Sequence, residues 1–261
     1  MTKIVNFLCG FDANVSYSLI NSARSALAHL FRFSEFASVC SDPLVLSCMK
    51  GLAKQRPSNS KYVGFWNPSI LLSFLKSLDV SSLESLTHKC ATLLKLVSMQ
   101  RSHTLTLIYV QNVKFYAESV LIVIFEDLKV RKQRPAFTLN FKKYHDQDLC
   151  IVHCLKLLLD RRPPTTATKL FVSSRKPYQP VTANTIARWV KLMMSRAGID
   201  IDVFSAHSSR GASSSTAVNC MDIDSVLKLA DWSSSNTFNN FYHKPILDGP
   251  AMDLFSKIVT S

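Results

Sequence analysis

"VKFYAESVLIVIFEDLKVRKQRPAFTLNF", residues 113–141, is where the rhythm of this chain changes. Before it, apolar residues recur at helical spacing. Here Val, Ile and Phe crowd together, the β-branched and aromatic types that suit a pleated surface. The stretch 113–130 predicts a strand, "RKQRP" interrupts it, and "AFTLNF" at 136–141 predicts another. Two strands joined by a Lys/Arg-rich turn make a small antiparallel sheet. With helices on both sides, the fold class is α+β, mainly α.

Upstream, "SSLESLTHKCATLLKLVSMQ" (81–100) predicts a helix with leucines at 83, 86, 93 and 94, and with Ser81 and Glu84 in capping-box spacing. "NPSILLSFLKSL" (67–78) starts an earlier one. "SDPLVLSCMKGLAKQR" (41–56) predicts a helix capped by Asp42 or Ser41, with Pro43 in its first turn. "NVSYSLINSARSALAHLF" (14–31) carries Tyr17, Ile20, Ala23, Leu27 and Leu30 in helical rhythm. Between these helices and the rest lies a Pro/Ser/Asn-rich basic stretch. The expected organisation is therefore a helical domain over 1–57, a basic linker over 58–67 and a larger domain over 68–261.

Downstream, "DLCIVHCLKLLLD" (148–160) predicts a helix and "LFVSS" (170–174) a short strand. "TANTIARWVKLMMSRAG" (182–198) is helical and closes with Gly198 as a C-cap. "DIDSVLKLADW" (222–232) and the tail "AMDLFSKIV" (251–259) are helical too.

The chain has 261 residues, 47% of them hydrophobic, enough for a real core. Lys and Arg total 31 against 18 acids, a formal net charge of +13. An excess of that size points to a polyanionic partner, above all nucleic acid. No signal peptide is expected at the N-terminus, and no run approaches the roughly 20 apolar residues that span a bilayer. The seven cysteines are scattered and odd in number, as suits reduced, buried thiols. Cys150 and Cys154 flank His153, with His145 nearby, but no second ligand pair stands at zinc-finger spacing, so core thiols are the preferred reading.

"FSAHSSRGASSS" (204–215) sets His207 and Arg210 three residues apart. Arg101 at the end of the 81–100 helix, Lys129 on the basic hairpin, Trp232 in "ADWSSS" and Tyr242 in "FNNFYHKP" complete an ordered set. Singly, each has an ordinary reading: a helix-end partner, a solvated lysine, core aromatics. Together they fit one chemistry, transesterification at a DNA phosphate. Two arginines hold the non-bridging oxygens through their planar forks, without a metal or other cofactor. A His and a Trp N–H donate to the phosphate or position the nucleophile. A hairpin lysine reaches the leaving oxygen as general acid. A tyrosine phenol attacks once cations stabilise its phenolate.

That set, Arg101, Lys129, His207-x-x-Arg210, Trp232, Tyr242, resembles the catalytic pattern of the tyrosine recombinase (phage integrase) superfamily. More narrowly, "YSLINSARSAL" (17–27), "LVSMQRSHTL" (96–105), "FSAHSSRGASSSTA" (204–217) and "LKLADWSSSNTFNNFYHKP" (227–245) resemble recombinases of DIRS-type eukaryotic retrotransposons. The resemblance implies an N-terminal helical, SAM-like core-binding domain and a catalytic domain that together close on double-stranded DNA. It implies a covalent 3′-phosphotyrosine at Tyr242, assembly from dimer to tetramer on DNA, and a tail helix that docks on a neighbouring protomer. No membrane partner is implied. A eukaryotic host implies the nucleus, and any other host the cytoplasm. Arg24, Lys54, Arg56, Lys61, Arg131, Lys132, Arg134 and Arg188 are the expected further DNA contacts. Lys129 is favoured as the acid, but Arg131 and Lys132 share its hairpin. Many members have an acid three residues after the first arginine, where this chain has Thr104. Two other readings are compatible with parts of this pattern: a catalytically silent DNA-binding descendant of such an enzyme, and a helix-turn-helix regulator reading DNA through 182–198.

Overall fold

The computed structural model describes residues 2–57, 60–125, 136–232, 235–247, 255 and 258–260. The chain divides into two compact units, Met1–Lys61 and Tyr62–Ser261.

The first unit holds three helices, α1 (Thr2–Cys9), α2 (Tyr17–Leu30) and α3 (Pro43–Gln55). α1 carries no strong sequence signal because it is only eight residues long. α3 starts as its sequence dictates: the Asp42 side chain accepts from Leu44 N–H and Pro43 occupies the first turn. Leu8, Ile20, Val45, Met49 and Leu52 form a small core between the three helices. Of the apolar positions in α2, only Ile20 is fully buried, and Leu30 lies 73% exposed.

The second unit runs α4 (Pro68–Ser77), α5 (Leu83–Ser98), α6 (Ser102–Thr106), β1 (Val113–Phe115), β2 (Ser119–Ile124), β3 (Phe137–Lys142), α7 (Ile151–Asp160), α8 (Ala183–Arg196), α9 (Ser208–Ala217), α10 (Ile223–Leu229) and α11 (Ser235–Phe241). Its packed core begins inside the stretch expected to be linker: Phe65 and Trp66 are buried, and Phe65 pairs with the 245–247 segment through backbone hydrogen bonds. Apolar side chains of that size belong in a core rather than in a solvated tether.

α5 is the central helix, with every residue from Leu86 to Ser98 buried among α4, α7, α8 and α9. Its cap is Ser82, whose Oγ accepts from Ser85 N–H, and not the expected Ser81, which bonds to Asp79 instead. α5 also ends earlier than expected. Met99 turns left-handed at φ 55°, and Arg101 lies beyond the break, at the start of α6.

Where a single strand is expected over 113–130, the described part, 113–124, is a hairpin, and 126–130 lie outside the described residues. Tyr116 N–H closes on Ser119 O at 2.8 Å and folds β1 back on β2. β2 pairs antiparallel with β3, as expected, with Val120 opposite Phe141, Ile122 opposite Leu139 and Ile124 opposite Phe137. These six side chains are buried on one face, and Thr138, Asn140 and Lys142 alternate outward. The basic turn expected there, with Lys129, Arg131, Lys132 and Arg134, lies outside the described residues. The expected strand at 170–174 is limited to one isolated bridge, Val172 to Pro180. Gly198 follows α8 at φ 82°, the left-handed position its C-terminus needs. Most of the expected tail helix lies outside the described residues, but Phe255 and Ile258 are buried in the core of their own chain.

Candidate active site

α9 organises the site. Its ten residues, Ser208 to Ala217, are all buried, so a sequence that looks like a polar turn is a core helix of small side chains. Gly211 lies within the helix, and any Cβ there would strike the Phe65 ring. The glycine permits close packing, and α9 is thereby held against the core with its N-terminus fixed.

At that N-terminus His207 is exposed and Arg210, one turn on, is fully buried. The His207 Nε2 and the Tyr242 hydroxyl are 2.8 Å apart. Tyr242 follows α11, and its backbone N–H donates to Phe238 O at 2.8 Å. Ser215 of α9 secures the same segment: its hydroxyl donates to the Tyr242 carbonyl and accepts from Lys244 N–H at 3.1 Å. The helix that carries His207 and Arg210 therefore also fixes the tyrosine.

Trp232 joins the two halves. Its ring meets the Tyr242 ring edge-on at 4.2 Å, and the Arg210 guanidinium stacks over it at 4.0 Å from the ring centroid. The Arg101 guanidinium lies 5.9 Å from the same ring. Arg210 Nη1 donates to the Met99 carbonyl at 2.8 Å, so the break that ends α5 seats Arg210 as well as carrying Arg101. Arg210 Nε and Nη2 and the Trp232 indole N–H are buried with no hydrogen-bond partner among the described residues. Burial, first, and then the charge of Arg101 lower the Arg210 pKa from its usual value to about 9, while Tyr242 and Asp231 act the other way. Buried donors of this strength are costly to leave unpaired. Here they belong to one guanidinium and an indole, with the Arg101 guanidinium close by, a set matched to an anion with several oxygens. The N-terminus of α9 adds its partial positive charge.

Arg101, His207, Arg210, Trp232 and Tyr242 are thus brought into one cluster, while Lys129 lies outside the described residues. Among the other expected DNA contacts, Lys54, Lys61 and Arg188 are exposed. Arg24 and Arg56 have structural work. Arg24 donates to Asn21 and to the Cys40 carbonyl, and Arg56 to the carbonyls of Phe11, Asp12 and Val15. Cys150 and Cys154 are buried while His153 is exposed, and no group of three metal-ligating residues occurs among the described residues. Sequence reasoning missed Ser215 and Lys95. Lys95 is buried behind the arginines, and its only signal was a lysine set inside the apolar run "LLKLV".

The Phage integrase family profile matches residues 69–246, and the chain belongs to that family. No curated protein matches it significantly in sequence. Solved structures with a similar fold include XerH site-specific recombinase bound to its difH substrate after cleavage, at TM-score 0.56 and 16% identity over 88% of this chain and 69% of that one. XerA recombinase aligns at TM-score 0.53 and 17% identity, over 95% and 84% of the two chains. The Tn1549 transposon integrase in complex with circular intermediate DNA aligns at TM-score 0.57 and 14% identity, over 88% and 76%. At these identities the likeness establishes the fold.

Proposed function

We propose that this protein is a site-specific DNA recombinase that cuts and rejoins DNA through Tyr242. The observation that carries the reading is the donor set of Arg210 and Trp232, unpartnered among the described residues, beside the His207–Tyr242 contact. Arg101 and Arg210 hold the two non-bridging oxygens of the scissile phosphate, and the Trp232 N–H donates to one of them. Tyr242 Oη attacks phosphorus as its proton passes to His207 Nε2. The P–O5′ bond breaks, and Lys129 gives the leaving oxygen its proton. The products are a 3′-phosphotyrosine and a free 5′ hydroxyl, and rejoining runs the same steps backward. Charge stabilisation of this kind, built in before the reaction, is the main catalytic lever.

The finer reading is a recombinase related to those of DIRS-type retrotransposons, acting in mobile-element integration, in the nucleus of a eukaryotic host. Its helical first unit is a SAM-like core-binding domain, the second unit is catalytic, and the active form is a dimer to tetramer on DNA. Lys54, Lys61 and Arg188, all exposed, support DNA contacts from both units. The silent-descendant reading predicts DNA binding with no chemistry. A nicked duplex that loses its 5′ fragment after cleavage separates the two: wild type accumulates a denaturant-resistant adduct and Tyr242→Phe gives none. An adduct of equal yield in both would remove Tyr242 from its role.

A further inference from the structure

Lys95 is a buried amine that the chemistry above does not use. It projects from α5, six residues before Arg101, and is 1% exposed. Its Nζ donates to the Gln100 carbonyl at 3.0 Å, and Gln100 Nε2 donates to Leu229 O at 2.7 Å. One turn, residues 99–101, is therefore tied to Lys95 on one side, receives Arg210 through the Met99 carbonyl on the other, and carries Arg101 itself.

The charges bearing on Lys95 are Arg210 from α9 and Arg101 from this turn, both positive. Asp231, after α10, and Tyr242 bear on Arg210 instead. Elsewhere along α5, Cys90 faces Cys154 of α7 and His88 faces Trp189 of α8. Burial, and then Arg210 and Arg101, lower the Lys95 pKa from its usual value to about 7. An anion between the two arginines reverses that balance, because nearby negative charge favours the ammonium form.

We propose that Lys95 is a positioning residue that couples phosphate binding to proton uptake: a DNA phosphate held by Arg101 and Arg210 draws a proton onto Lys95, whose ammonium then locks the 99–101 turn. The proposal rests on the recombinase reading for the place of the phosphate but not for its cleavage. The hydrogen bond to Gln100 becomes charge-assisted, so the turn that aims both arginines stiffens once the phosphate is in place.

The test is calorimetric titration of duplex DNA into the protein at pH 8, in buffers of different ionisation enthalpy. Wild type takes up about one proton more than Lys95→Met, and its affinity falls by up to about tenfold per pH unit above pH 7 relative to that variant. Lys95→Arg, which stays charged, keeps tight binding without that slope. Equal proton uptake and parallel pH slopes in wild type and Lys95→Met overturn the proposal. If Lys95→Met does not fold, parallel slopes in wild type and Lys95→Arg overturn it. Proton uptake without a covalent adduct leaves the coupling standing and sinks the recombinase reading, and an adduct without differential uptake does the opposite. If wild type binds no duplex, the recombinase reading fails, and the same titration with inorganic phosphate carries the test for Lys95.

Discussion

Arg210 keeps its charge in a place that gives it little in return until an anion arrives. It is fully buried, spends one nitrogen on Met99 and leaves two without partners among the described residues. A buried charge of this kind costs stability, and an apolar side chain of similar length removes that cost. Arg210→Met is therefore expected to melt no lower than wild type in a thermal scan, despite losing the Met99 hydrogen bond. Its adduct yield rate should fall by at least about 100-fold. A mainly structural arginine would give the opposite pattern, low stability with residual chemistry. Lys95 gives a second prediction at this scale. Its folded pKa, about 7, lies below its unfolded value, so the unfolded chain binds more protons between them. The melting temperature of DNA-free wild type relative to Lys95→Met should then rise as pH goes from 7 to about 10, and a flat difference would contradict the lowered pKa.

The elements explain why these residues meet. α9 is a helix of Ser, Ala and Gly because larger side chains would push it off the core, and Gly211 against Phe65 is the tightest point. Gly211→Ala should destabilise by about 1–3 kcal/mol, measured by denaturant unfolding, and Phe65→Leu should recover part of that loss in the double variant. At this scale the sequence was readable wherever the signal was local. The α3 cap at Asp42, the left-handed Gly198 and the β2–β3 pairing follow from residue type and spacing. Where tertiary contacts decide, it was not. Ser82 instead of Ser81 caps α5, since Asp79 takes the Ser81 hydroxyl. Arg101 sits past a helix break because Met99 turns left-handed, a conformation no residue type announces there. The tight Tyr116–Ser119 turn has no glycine or asparagine to mark it. The site was legible as an ordered list of residues. Its geometry was not, because Ser215 and Lys95 act through contacts 27 residues downstream and through burial that a serine or lysine does not advertise.

At the scale of the whole molecule, 31 basic residues against 18 acids give a formal charge of +13. If several of the exposed cations neutralise DNA phosphates, the log of the binding constant should fall linearly with the log of salt concentration, by about 0.9 per phosphate contacted. Fluorescence anisotropy on a labelled duplex between 50 and about 200 mM salt reads that slope. A salt-independent affinity would contradict a phosphate-gripping surface. Lys54→Ala and Arg188→Ala, on the two units, should each reduce the slope by about one contact without changing sequence preference.

The central claim, that this cluster breaks DNA through Tyr242, is tested most directly by mass spectrometry of the covalent product. The protein is incubated with a nicked suicide duplex and digested, and the peptides spanning 235–247 are sequenced. The prediction is a 3′-nucleotide phosphate on the Tyr242 oxygen, lost in Tyr242→Phe and strongly reduced in Arg210→Met. A modified residue other than Tyr242, or a wild type that binds the duplex and never becomes linked to it, would contradict it.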